Sequence, residues 1–156
     1  MKSFKDSTGR EWAITLTLGT ALKVKSKLGI DLLQPEAGDP PLLSRLCTDE
    51  LLLAEIICCL LEGQFEKHGV TEEDIFECFD GATLLASQKA FYEEMVDFFQ
   101  KRGRADRAKA VSKHTNLISL AITAAEAKID ALDIEKVMSG EMSGELPVQS
   151  ELSQTV

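Results

Sequence analysis

Along residues 11–16 apolar and polar positions alternate: Trp12, Ile14 and Leu16 share one face of an extended segment, and Glu11, Ala13 and Thr15 share the other. With turn chemistry at residues 6–9, this pattern predicts a short β-hairpin. A two-stranded ribbon is marginal alone. Phe4, Trp12, Ile14 and Leu16 are therefore expected to lie against helices that follow, with Phe4 and Trp12 as anchors, or the ribbon edge to pair with another chain. A helix over 18–28 comes next, stopped by Gly29.

Residues 34–41 hold three prolines and a glycine and predict a loop, with room for one turn at Leu42, Leu43 and Leu46. Thr48 as N-cap, Asp49 and Glu50 in the first turn and Gly69 past the end define a helix over about 49–68. In it Glu55, Glu62 and Glu66 form one narrow polar stripe, while leucines, isoleucines and Phe65 cover the rest, so it should be central to the core. Thr71 and Asp74 form a capping box for a short helix over 72–79. Over 82–102 the positions Leu84, Phe91, Met95 and Phe98 make one line, and Leu85, Tyr92, Val96 and Phe99 the next. After Gly103 a last helix is expected over 104–137, where Val111, Ile118, Ile122, Ala125, Ile129 and Leu132 follow coiled-coil spacing. From Met138 the periodicity stops, which predicts a flexible tail.

The expected fold is mainly α: an N-terminal β-hairpin packed on a bundle of about five helices, with a disordered C-terminal tail. A chain of 156 residues with 44% hydrophobic content suits one domain, here residues 1–137, followed by the tail at 138–156.

Charge changes the picture more than size does. The net charge of −9 conceals a strongly acidic middle, with three Lys/Arg against fifteen acids over 34–100, and a basic island at 101–114. The acidic middle argues against nucleic acid or an anionic membrane as a general partner, because repulsion opposes encounter. The longest apolar stretch, 51–61, already contains Glu55 and falls well short of the roughly 20 residues needed to cross a bilayer. The start of the chain lacks the apolar run of a signal peptide. A cytoplasmic protein with reduced thiols is the expectation.

Candidate chemistry is thin. Cys58 and Cys59 are adjacent on a helix and point about 100° apart, and the four cysteines and two histidines show no metal-ligand spacing. All four thiols are expected to face the core. His68 and His114 lack the signature of a triad or nucleophile elbow. Neither catalytic residues, nor a cofactor, nor a metal site is expected.

The pattern Phe4-x-Asp6-x-x-Gly9-Arg10-x-Trp12, the helix over 18–28 and the closing Gly29-x-Asp31-Leu32-Leu33 resemble small proteins of bacteriophage and prophage tail gene clusters, the tail assembly chaperones. The resemblance covers about the first fifth of the chain. It implies a non-enzymatic protein of the host bacterial cytoplasm that keeps the long tape-measure protein soluble, helps recruit tail-tube protein and is absent from the finished virion. It carries no functional-residue motif.

The partner-binding candidates come instead from the residues. Ile118, Ile122, Ile129 and Leu132 form a seam that serves either the chain's own core or a groove for a partner helix or a second copy. Arg104 and Arg107, in the basic island, could steer an acidic partner toward it. The rival reading is a structural tail completion or connector subunit that uses the hairpin for intersubunit strand pairing. A nucleic-acid-binding regulator stands third, since the island lacks interleaved aromatics for base stacking.

Overall fold

The structure is a computed structural model and describes residues 1–132 and Met138. It is mainly helical behind an N-terminal hairpin, as the patterning requires. The chain divides into two compact units, the first Met1–Leu117 and the second beginning at Ile118.

In the first unit, β1 (Lys2–Lys5) pairs antiparallel with β2 (Glu11–Ile14), with Phe4 opposite Trp12. The turn is tied by one side chain. Asp6 Oδ1 accepts from Thr8 N–H, Thr8 Oγ1 and Arg10 N–H at 2.7–3.0 Å, and Gly9 takes φ +86°, which costs glycine little. Phe4, Trp12, Ile14 and Leu16 are all buried, as the alternation predicts. Phe4 meets Phe79 edge-on at 5.7 Å, and Trp12 meets Phe65 edge-on at 6.2 Å.

Helix α1 (Leu18–Leu28) starts at a Thr17–Thr20 capping box and ends at Gly29 with φ +69°. The loop that follows gives way to α2 (Leu42–Thr48), a full two turns where the sequence suggested one; it buries Leu42, Leu43 and Leu46. Thr48 therefore closes α2 instead of capping the next helix. Asp49 takes the N-cap, accepting Leu52 N–H at 3.0 Å. The long helix expected over 49–68 is interrupted: α3 (Glu50–Leu61) passes through a 3-10 turn at Glu62–Gln64 into α4 (Phe65–His68). α3 is the central element, with an unbroken buried run from Ile56 to Leu61.

After α5 (Glu72–Cys78), capped by Thr71 and Asp74, comes α6 (Gly81–Lys101), with Asp80 as N-cap. Its C-terminal half buries Phe91, Tyr92, Met95 and Phe99, but its first turns bury Thr83 and Ser87 and leave Leu84 and Leu85 exposed, against the two lines read from the sequence. Glu94 is also buried. Its carboxylate accepts Leu16 N–H at 2.8 Å and the Met1 ammonium at 2.7 Å, fixing the hairpin's exit to α6. α7 (Ala105–Asp130) ends within the described residues; 133–137 of the expected last helix, and the expected tail apart from Met138, lie outside them.

Candidate partner-binding surfaces

The first turns of α7 face inward through Ala108, Val111 and His114. Farther along, the helix carries aliphatic side chains that it does not bury: Leu117, Leu120, Ile122 and Ile129 are exposed and Ile118 is half-buried, and Leu132, just past the helix end, is exposed too. Of the seam read from the sequence, Val111 is buried in the core of the first unit. Each large aliphatic side chain left in water forgoes about 1.5–3 kcal/mol of burial, so a row of them on one helix marks a surface with something to gain from a partner.

The basic island is less open than its composition suggests. Arg104 forms a two-pronged pair with Asp106 at 2.8 and 2.9 Å, which holds that carboxyl well below its ordinary pKa. Arg107 reaches Glu36 at 2.8 Å, and Lys101 reaches Asp97 at 2.9 Å. The exposed pairs of Arg104 and Lys101 add little stability, but all three pairs neutralise local charge. Arg102, Lys109 and Lys113 remain as exposed cations, so steering by Arg104 and Arg107 is blunted.

A second surface, which periodicity did not reveal, runs along α3. Leu51, Ala54, Glu55, Cys58, Cys59 and Glu62 recur at helical spacing and line two adjoining hollows. One, of about 370 Å³, is apolar: Leu51, Ala54 and Leu84 surround it with Phe76 and Phe79. The other, of about 210 Å³, lies beside Lys27 and Leu28 of α1 and is flanked by Glu62 and Glu72. Glu55 and Phe76 border both, so the hollows make one trench. Leu51 at its rim is 77% exposed. Lys27 Nζ lies 2.7 Å from Glu62 Oε2. The signal was hidden because α3 is apolar nearly all round, and a helix with little amphipathic contrast does not declare which apolar positions face outward.

The cysteines divide. Cys58 and Cys59 are buried as expected, and burial pushes the Cys58 thiol up to about 12 and raises that of Cys59. Cys78 is half-buried and Cys47 is exposed, so the expectation of four core-facing thiols fails at the end of α2. Cys47 Sγ lies 3.7 and 3.8 Å from the ring nitrogens of His114, and Tyr92 Oη lies 3.3 Å from His114 Nε2. Burial lowers the pKa of His114 and raises that of Tyr92. A neutral imidazole beside a thiol can exchange a hydrogen bond with it. Among the described residues, however, the hydrogen-bond partners of this ring are Cys47 and Tyr92, with no carboxylate to orient it as a base. The described residues hold no group of three or more His, Cys, Asp or Glu disposed to bind a metal ion, and none of their helices is long and apolar enough to cross a membrane.

Phe4 and Trp12, the expected hairpin anchors, are both buried, and Trp12 is fully enclosed. The outer edge of β2 is occupied as well. Gln64 Oε1 accepts Ala13 N–H at 3.0 Å, Gln64 Nε2 donates to Ala13 C=O at 2.7 Å, and His68 Nε2 lies 3.0 Å from Glu11 C=O. Comparison with models of protein families, with curated proteins and with solved structures gives no match to this chain.

Proposed function

We propose that this protein is a non-catalytic binding protein that acts as a phage tail assembly chaperone: it covers helical segments of a tape-measure protein during assembly and brings tail-tube protein to them. The observation that carries the reading is the row of exposed aliphatic side chains on the outer part of α7, including Ile122 and Ile129 at 55% and 64% exposure. Coiled-coil spacing fits such a row to another helix, and a tape-measure protein offers long helices that need shielding. The resemblance of residues 4–33 to tail assembly chaperones supports the same assignment. The net charge of −9 would keep the loaded complex soluble. Host bacterial cytoplasm is where that assembly takes place.

The test is co-expression with a tape-measure fragment that aggregates alone. Ile122→Asp with Ile129→Asp should leave the circular-dichroism spectrum and melt intact, since both side chains are exposed, and should abolish protection of the fragment. Full protection by the double variant would remove the seam from the mechanism. Mass spectrometry of purified virions addresses the structural-subunit reading, which requires stoichiometric copies in the particle where a chaperone leaves none.

A further inference from the structure

We infer that the trench along α3 is a docking site for a basic amphipathic helix of a partner protein. The inference stands on the trench alone and does not require the tail-assembly reading. Its apolar end offers Leu51, Phe76 and Leu84, three large side chains partly or largely in solvent, around a hollow of about 370 Å³. Its other end carries Glu55, Glu62 and Glu72, and Lys27, the cation among its lining residues, is already paired with Glu62. Glu55 and Glu72 are exposed and, among the described residues, have no ion pair. From Leu51 to Glu62 the trench follows eleven residues of rise, about 16 Å, the length of three turns of a bound helix.

Charge decides the occupant. A second copy would bring its own acidic middle, fifteen acids against three Lys/Arg over 34–100, to an acidic rim, and in its basic island Lys101, Arg104 and Arg107 are already paired with Asp97, Asp106 and Glu36. Residues 133–156 of the same chain carry five acids and one lysine, again the wrong sign. A partner helix with Leu, Met or Phe at i and i+3 or i+4 would fill the apolar end, and Arg or Lys one to two turns along would meet Glu55 and Glu72.

The experiment is fluorescence anisotropy on the full chain with three labelled peptides of about 16 residues. One is a helix with a leucine face flanked by Lys and Arg, the second has the same face flanked by Glu, and the third is a scrambled basic sequence. Saturable binding of the first is expected, at least about tenfold tighter than of either control and weakening with salt. Glu55→Lys with Glu72→Lys, and separately Leu51→Asp, should each weaken it at least about tenfold. Should either variant fail to fold, Glu55→Gln with Glu72→Gln, which introduces no new charge, carries the test and should still weaken binding. No saturable binding of the basic helix, equal binding of the scrambled peptide, or unchanged affinity in the folded variants would each overturn the inference.

Discussion

The indole N–H of Trp12 donates to Asp6 Oδ2 at 3.0 Å, so the residue that anchors the hairpin is held by the residue that makes its turn. The other carboxylate oxygen of Asp6 is bound to Thr8 and the Arg10 backbone, and Arg10 Nη1 lies 3.6 Å from Oδ2. Turn, strand and core contact therefore form one cooperative unit. Trp12→Ala should cost about 3–5 kcal/mol in urea unfolding, because it empties a fully enclosed site between the hairpin and Phe65. Trp12→Phe retains much of the packing and loses the indole donor, so it should fall between wild type and alanine. Equal stability of all three proteins would mean that the ribbon adds nothing to the bundle.

Asp6 gives the fold an acid limit. Burial pushes its pKa up, but hydrogen bonds from Thr8, Trp12 and the Arg10 backbone outweigh that and hold it at about 2, against an ordinary 3.8. A carboxyl with a lowered folded pKa stabilises fully above its unfolded value, and the contribution is lost as pH falls toward the folded value. The gap corresponds to about 2 kcal/mol. Stability should decline between about pH 4 and pH 2, and Asp6→Asn should flatten that limb while lowering stability at neutral pH. An unchanged acid limb in Asp6→Asn would assign it to other carboxylates.

His114 acts in the opposite part of the range. Its pKa is lowered by burial, so the unfolded chain takes up a proton before the folded one does. Stability should therefore fall as pH drops below about 6.5, until the folded ring itself protonates. Replacing His114 with Gln should remove this slope, and a melting series from pH 8 to pH 5 would reveal it. A slope that persists in the variant would clear His114 of the effect.

Thiol reactivity should sort the cysteines by position. Cys47 is exposed and should react with Ellman's reagent within the first phase at pH 8, Cys78 more slowly, and Cys58 and Cys59 only on unfolding, since burial both shields them and disfavours their thiolates. Cys47→Ser should delete the fast phase and leave the others. Rapid labelling of Cys58 in the folded protein would mean that the floor of the α3 trench opens readily.

The parts of this architecture legible in the sequence are those written in short-range patterns. Alternation at Trp12, Ile14 and Leu16 and the stop at Gly29 need only a few neighbouring residues, and the structure reproduces both. What failed depends on distance. Thr83, Ser87 and Glu94 look like solvent positions on α6, and Glu94 is buried because Met1 and Leu16 bring donors to it from the other end of the first unit. α2 was underestimated because Pro40 and Pro41 dominate the local composition, although proline at a helix start removes only a donor that would go unpaired. The approach of Cys47 to His114 joins residues 67 apart and leaves no trace in spacing. Of the candidate sites, the α7 seam was visible as heptad spacing; the α3 trench was not, since outward and inward leucines are the same letter.

The pairing of Gln64 with Ala13 gives the hairpin something a two-stranded ribbon lacks. The glutamine amide turns one acceptor and one donor to the strand, as a backbone peptide would, and it places both against a single residue of β2. A side chain from the turn between α3 and α4 thus imitates one rung of a third strand. Another chain cannot add to β2 at that rung without first evicting it. Gln64→Ala would uncover the rung with no large loss of packing, and concentration-dependent association should then appear in sedimentation velocity. Protection against sticking to its own copies would in that case reside in one amide, in a protein whose proposed work is to prevent the sticking of others.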